Sequence, residues 1–278
     1  MKIVATADLH YGYGRRSDRE VEELAHRMND SAADVLLLVG DIAEFTDERL
    51  QACLELFADF PGEKLMVPGN HDLWRRNGED TWQLYTERIP RIAAAQGFQC
   101  LDECPAMIGD VGFVGNIGWY DYAFRSAYLA IPLSYYEKKL FPNVARWNDG
   151  AFVRWGMDDR EVVRHLVQRL EAHIEAIYDR CSRVVCAVHH LAFEELIPVR
   201  EDFDGLLARL PLRRMRALSF TRAYLGSPAF GELISRYEKI ELFLCGHSHI
   251  AKEKEIGRIR CINIGSNYQK KRFVTLEI

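Results

Sequence analysis

The chain has 278 residues, 48% of them hydrophobic, and sets 36 Lys and Arg against 41 Asp and Glu for a formal net charge of -5. That length and apolar content can bury a sizeable core, as one large domain or a domain with an insertion. The acidic balance gives no global drive toward nucleic acid or anionic membrane, although local basic clusters remain open.

Lys2–Ala7 reads as a short buried strand, and it runs into Asp8-Leu9-His10 before the glycines Gly12 and Gly14. Met1 enters that strand directly, without a charged and apolar leader. Asp8 and His10 are two apart, so in extended backbone they point to the same side. Ser17 or Asp18 is placed to cap a helix through Met28, with Val21, Leu24 and Met28 on one face. Val35–Val39 is a second strand, leading into Gly40-Asp41-Ile42-Ala43-Glu44. Asp47 begins a second helix carrying Leu50, Cys53, Leu54 and Phe57, and Lys64–Val67 is a third strand. Pro68 and Gly69 break that strand, so Asn70, His71 and Asp72 follow on a loop just past its end. A βαβαβ order implies a parallel sheet with right-handed crossovers, so Asp8, His10, Asp41, Asn70 and His71 converge on one sheet edge. Ligands of open α/β sheets bind at that edge.

A helix over about Thr81–Gln96 follows, then a hairpin of Ala106–Ile108 and Val111–Gly115 joined by Gly109-Asp110. The seven cysteines are odd in number and scattered, which reads as reduced thiols of a cytoplasmic protein. Cys100 and Cys104 have no second pair with which to build a zinc site, so they read as two partly buried thiols. From Trp119 to Trp155 the chain changes character: Trp119, Tyr120, Tyr122, Phe124, Tyr128, Tyr135, Tyr136 and Trp147 are among its interleaved aromatics. This segment, about 119–160, is read as an insertion or cap over the site edge, with a satellite hydrophobic cluster as the alternative. Asp158 caps an amphipathic helix to about Asp179, and Val184–Val188 is a strand ending in His189-His190. Leu206–Leu218 is basic (Arg209, Arg213, Arg214, Arg216), with Arg222 beyond it, either a solvated face or a route for a phosphorylated substrate. Ser227 starts a helix to Tyr237, and Ile240–Cys245 is a strand leading into Gly246-His247-Ser248-His249. Short strands near Lys252–Ile256, Arg260–Ile264 and Phe273–Ile278 finish the chain. No run approaches the roughly 18 apolar residues of a membrane span.

Each polar group after a strand would pass alone as a turn residue, but here several strands end the same way. Asp8, His10, Asp41, Asn70, His189, His247 and His249 are one donor more than two three-ligand metal sites require. A shared carboxylate brings the count to four contacts per metal, and nitrogen and oxygen donors without thiolate suit first-row ions. The ordered set Asp-x-His, Gly-Asp-x-x-Glu, Gly-Asn-His-Asp, His and Gly-His-x-His, spanning Asp8 to His249, resembles the calcineurin-like metallophosphoesterase family.

The resemblance implies an α/β fold in which a two-layer β-sandwich is flanked by helices, a four-layer αββα arrangement over residues 1–278. It implies a binuclear centre bridged by Asp41, one ion completed by Asp8, His10 and His249, the other by Asn70, His189 and His247. His190 is left beside the centre. The ions would be Mn, Fe, Zn, Co or Ni, with Mn or Fe/Mn favoured. Two such ions and two carboxylates leave a cationic pocket suited to a phosphate ester, attacked in line by a metal-bridging hydroxide. His71 is then free to protonate the leaving oxygen, oriented by Glu44 or Asp72, of which the family pattern favours Glu44. The expected activity is hydrolysis of phosphate mono- or diesters, with a small phosphorylated or nucleotide substrate favoured. A protein phosphatase or a nuclease of the same family is the alternative, and a non-catalytic scaffold should have lost ligands or His71. Aromatics that reach the site would favour a base or an apolar leaving group.

Overall fold

The computed structural model describes residues 1–76, 78–126, 129–198 and 211–278. Its first sheet sets β1 (Lys2–Thr6), β2 (Val35–Val39), β3 (Glu63–Val67) and β4 (Gln99–Cys100) in parallel, with β13 (Phe273–Glu277) antiparallel to β1 at the edge. The second sheet has the order β11-β12-β10-β9-β6-β5. Its parallel centre is β12 (Ile259–Asn263), β10 (Ile240–Cys245), β9 (Arg183–Val188) and β6 (Val111–Asn116). Antiparallel β11 (Lys252–Ile256) and β5 (Ala106–Ile108) close its two edges.

The two-residue period of the strands explains the layering. Ile3, Val35, Leu37 and Leu65 of the first sheet meet Phe113, Val185, Leu244 and Ile262 of the second in one buried layer. The alternate residues Val4, Leu36, Met66, Cys186 and Phe243 join the larger core packed beneath the helices. Strands buried on both faces read as unbroken apolar runs, which is why Val35–Val39 and Leu242–Cys245 stand out in the sequence.

The flanking helices are α1 (Arg15–Asn29), α2 (Asp47–Glu55) and α3 (81–95). Helix α1 starts before Ser17, and neither predicted cap residue serves it: Asp18 Oδ1 instead accepts from Gly12 N at 2.8 Å. Thr46 caps α2, accepting from Arg49 N, and Phe57 lies past its end. Within α3 the turns widen to a π-helix over Leu84–Arg88 just before Pro90, whose ring would clash with a regular preceding turn.

The aromatic segment contains α4 (Leu133–Glu137), the ribbon β7 (Leu140–Phe141) with β8 (Ala145–Arg146), and α5 (Asp149–Phe152). Trp119, Tyr120 and Tyr136 are fully buried, and Tyr128 lies outside the described residues. Helix α6 (Asp159–Tyr178) opens on a capping box of Asp158 and Glu161. Helices α7 (Leu212–Thr221) and α8 (Pro228–Ser235) follow, the latter capped by Ser227. At the chain ends, the Met1 amino group donates to Ile278 O at 2.9 Å and Ile278 N to Met1 O at 3.0 Å. Among the described residues no helix is long and apolar enough to cross a membrane.

Candidate metal centre

Parallel strands deliver their following loops to one edge, and the polar residues past β1, β2, β3, β9 and β10 meet there. Asp8, His10, Asp41 and His249 offer ligand atoms within 4.8 Å of one another, and so do Asp41, His189 and His247. Asp41 belongs to both groups: His10 Nε2 is 3.6 Å from its Oδ2 and His189 Nε2 is 3.3 Å from its Oδ1. His249 Nε2 is 3.6 Å from Asp8 Oδ1 and 3.2 Å from His10 Nε2.

The backbone at this edge is held in an uncommon form. Asp8, His10, Asp41, His247 and His249 have φ of 57°, 47°, 52°, 66° and 59°. Left-handed backbone at a residue with a Cβ costs on the order of 1–3 kcal/mol and persists only where its surroundings enforce it. Two glycines clear the space between the loops. A Cβ on Gly69 would come within 2.3 Å of Asp41 Oδ1, and one on Gly246 within 2.7 Å of Asp8 Oδ2.

Hydrogen bonds fix which atoms face inward. His189 donates Nδ1–H to Val39 O at 2.9 Å, His10 donates Nδ1–H to Glu44 Oε1 at 2.9 Å, and His247 donates Nε2–H to Tyr224 O at 3.1 Å. The opposite ring nitrogen of each is the one turned inward, where a metal ion would take the place of any proton on it. Asn70 Nδ2 donates to Asp149 Oδ1 at 2.9 Å, which turns the amide oxygen to the other side. Asp8 Oδ2, Asn70 Oδ1 and His189 Nε2 are buried without a hydrogen-bond partner. Orphaned acceptors of this kind are costly in a folded interior, and a cation among them removes the cost. The donor set therefore fits divalent metal ions.

The electrostatics reflect this crowding. Burial raises the Asp8 carboxyl, and the neighbouring Asp41 adds to the rise. Burial also pushes Asp41 upward, but His189, His71 and His10 outweigh it and hold the carboxyl well below its usual range. His189 is driven down by burial yet ends at about 9 through Asp41 and Asp8. Burial, with the charge of His71, takes His10 down to about 3.

His71 stacks on the Trp74 indole with ring centroids 3.6 Å apart, and its Nδ1 meets Glu44 Oε1 at 2.7 Å. One carboxylate oxygen thus serves both His10 and His71. Burial pushes Glu44 up, but the hydrogen bonds from the two imidazoles bring it to about 2, so it stays anionic. His71 is lowered by burial and raised by more through Asp41 and Glu44.

Asp72, expected as a further catalytic group, is used differently. Its carboxylate accepts from Ile42 N, Ala43 N and Gly69 N at 2.8–3.1 Å, bracing the second loop against the third. His190 is fully buried, donates Nδ1–H to Ile117 O, and packs its ring 4.2 Å from that of His247. Of the basic cluster, Arg222 lines the cleft but is paired with Glu194 at 2.7 Å. Arg213, Arg214 and Arg216 are exposed, and Arg209 lies outside the described residues.

Three further residues come to the centre without a sequence signal of their own. Asp149 receives Asn70, Trp74, Tyr120 and Trp147. Tyr268 lays its ring 4.4 Å from that of His10. Lys271, brought down to about 8 by burial, donates to Asp8 O at 3.0 Å. They come from distant chain positions and carry no motif, so only the fold reveals them.

The family model for calcineurin-like phosphoesterases matches residues 1–251. The chain belongs to this family. A calcineurin-like phosphoesterase is a metal-dependent hydrolase of phosphoric esters, and the clustered donors are residues that could hold the metal. Among solved structures the chain is similar to a phosphopantetheinyl hydrolase from Mycobacterium tuberculosis, at 20% identity over 96% of this chain and 90% of that one, with a TM-score of 0.69. It is also similar to a dimetal phosphatase from Danio rerio, at 14% identity over 99% of this chain and 91% of that one, with a TM-score of 0.58. At such identities the likeness shows the fold. No curated protein matches the chain.

Proposed function

We propose that the chain is one phosphoesterase unit, with 119–160 as its cap, that hydrolyses small-molecule phosphate esters at a binuclear centre. The observation that carries this reading is the sharing of Asp41 by two donor groups, each with a buried atom that lacks a partner, Asp8 Oδ2 in one and His189 Nε2 in the other. Asp8, His10, Asp41 and His249 would hold one ion, and Asp41, Asn70, His189 and His247 the other. Two such ions would supply Lewis acidity at the phosphoryl oxygens and lower the pKa of a water enough to make it a nucleophile near neutral pH. Mn and Fe suit these nitrogen and oxygen donors, ahead of Zn, Co or Ni.

His71 is the proton donor. Anionic Glu44 holds its Nδ1 side, so Nε2 is the nitrogen left to deliver a proton to the departing oxygen. Trp74 covers one face of the ring and fixes its tilt. Lys271 and Asp72 hold the loops of Asp8 and Asp41 in place through backbone hydrogen bonds.

A cleft of about 460 Å³ opens from the centre and is partly walled by the cap through Arg146, Trp147 and Asn148. Such a concave, walled space suits a small ester better than a protein or nucleic acid surface. The free cysteines fit a reducing, cytoplasmic location. The test is metal-analysed protein loaded with Mn²⁺ and offered p-nitrophenyl phosphate, its bis ester, nucleotides and a phosphopantetheinyl compound of the kind for which the M. tuberculosis neighbour is named. Turnover is expected, with His71→Ala lowering kcat by roughly 10²- to 10⁴-fold while metal content stays the same. Inactivity toward every ester, with no metal retained, overturns the reading.

A further inference from the structure

We propose that the cleft accepts phosphate esters of extended apolar alcohols and turns away those whose far end is cationic. This rests on the phosphoesterase reading above and names the leaving group that the site was built to take.

Beyond the ligand atoms, the walls of the cleft are carbon-rich: Trp74, Trp147, Ile197, Leu218, Leu225 and Ile250 line it. Neither indole offers its N–H to a substrate. Both donate to Asp149 at 2.7 Å, one to each carboxylate oxygen. Each ring is also backed by a partner, Trp74 by His71 and Trp147 by Tyr224 at 4.9 Å and 5° between planes. Two rigid aromatic surfaces with satisfied polar ends favour contact with carbon and little else.

Toward the mouth, Leu218 and Ile250 stand 36% and 50% exposed. Large apolar side chains held in water at the lip of a catalytic cleft mark a surface that a ligand covers. A volume of about 460 Å³ exceeds what a phosphoryl group occupies and leaves room for a chain of several carbons.

Charge along the cleft selects the far end of that chain. Asp41 is the acidic residue lining it, and Asp41 belongs to the metal centre. Arg222 is neutralised by Glu194. Arg146 reaches the cleft from β8 with no acidic partner among the described residues. Among the described residues, a cationic tail would meet apolar walls and the Arg146 guanidinium, and the carboxylates near it are already engaged, Asp41 in the metal centre and Glu194 by Arg222.

The experiment compares ethyl, hexyl and 6-aminohexyl phosphate on Mn²⁺-loaded protein. Their alcohols are of similar acidity, so the ratios of kcat/KM read contacts along the chain rather than ease of bond cleavage. Hexyl over ethyl phosphate is expected to be on the order of tenfold or more, since four added methylenes enter an apolar slot. The 6-aminohexyl ester is expected to fall back to within about twofold of ethyl phosphate. Leu218→Glu and Ile250→Glu, at positions exposed enough to tolerate a charge, bring the hexyl-to-ethyl ratio toward one. Ethyl phosphate turned over as fast as hexyl phosphate, an unchanged ratio in both variants, or 6-aminohexyl phosphate matching hexyl phosphate each overturns the inference and leaves the phosphoesterase reading standing. Failure to hydrolyse any ester, p-nitrophenyl phosphate included, sinks both.

Discussion

Asn70 keeps its amide oxygen turned inward because Asp149 holds the other end of the amide. The same carboxylate also receives Trp74, Tyr120 and Trp147, so four donors depend on one buried acid. Asp149→Asn presents an NH₂ where two donors point, leaves donors unpaired, and lets Asn70 rotate. The expected outcome is roughly 10- to 100-fold weaker binding of one of two ions, seen as Mn²⁺ stoichiometry falling from about two to about one per chain by elemental analysis. At this scale the proposed ligands could be read from the sequence and their supports could not. Asp8, His10, Asp41, Asn70, His189, His247 and His249 follow strands in a recognisable order, whereas Asp149 looks like any acid in an aromatic stretch. Asp72 misleads for a related reason. Adjacency to His71 in the chain places its carboxylate among backbone N–H groups, and Glu44, distant in sequence, meets the imidazole.

Strands buried on both faces and helices with strong end signals, such as the Asp158-Glu161 capping box, announce themselves. Two-residue β4 and the π-turns of α3 do not, because tertiary pairing and Pro90 decide them. Asp102 joins several of these elements. Its Oδ1 accepts from Ile117 N at 2.7 Å and from the Tyr85 hydroxyl of α3, while its backbone oxygen accepts from Arg169 of α6 at 2.6 Å. Burial lifts its carboxyl to about 6. Because the folded value is raised for an acid, the native state binds more protons than the unfolded one between about pH 4 and 6, and stability from this group falls as pH rises through that window. The loss is complete above pH 6 and amounts to about 3 kcal/mol. Asp102→Asn removes the titration, so urea unfolding should show the variant gaining on the wild type between pH 4 and 7 by up to that amount. A difference that does not change with pH counts against it.

Across the whole molecule, metal bound at the proposed centre would be linked to folding. The fold forces Asp8 and Asp41 together out of water and leaves ring nitrogens facing one another, a crowding that bound cations would relieve in the folded chain and not in the unfolded one. Mn²⁺ at about 100 times its Kd should therefore add about 2.7 kcal/mol to unfolding, or more if two sites fill, and raise Tm, while a chelator lowers it. An unchanged Tm across that titration would show that the donors do not capture the ion. The chain ends add a different consequence. Met1 and Ile278 hydrogen-bond to each other beside the β1–β13 pair, so positions 1 and 278 stand within reach of a short linker. Joining the ends through a short glycine-serine linker and opening the chain at Gly257, in the exposed turn between β11 and β12, keeps every strand pairing. Such a permutant carries β12 and β13 ahead of β1 with Asp8 to His249 in unchanged order behind them, and it should bind Mn²⁺ with the same stoichiometry, which would show that the centre needs these two strands in place but not at the end of the polypeptide.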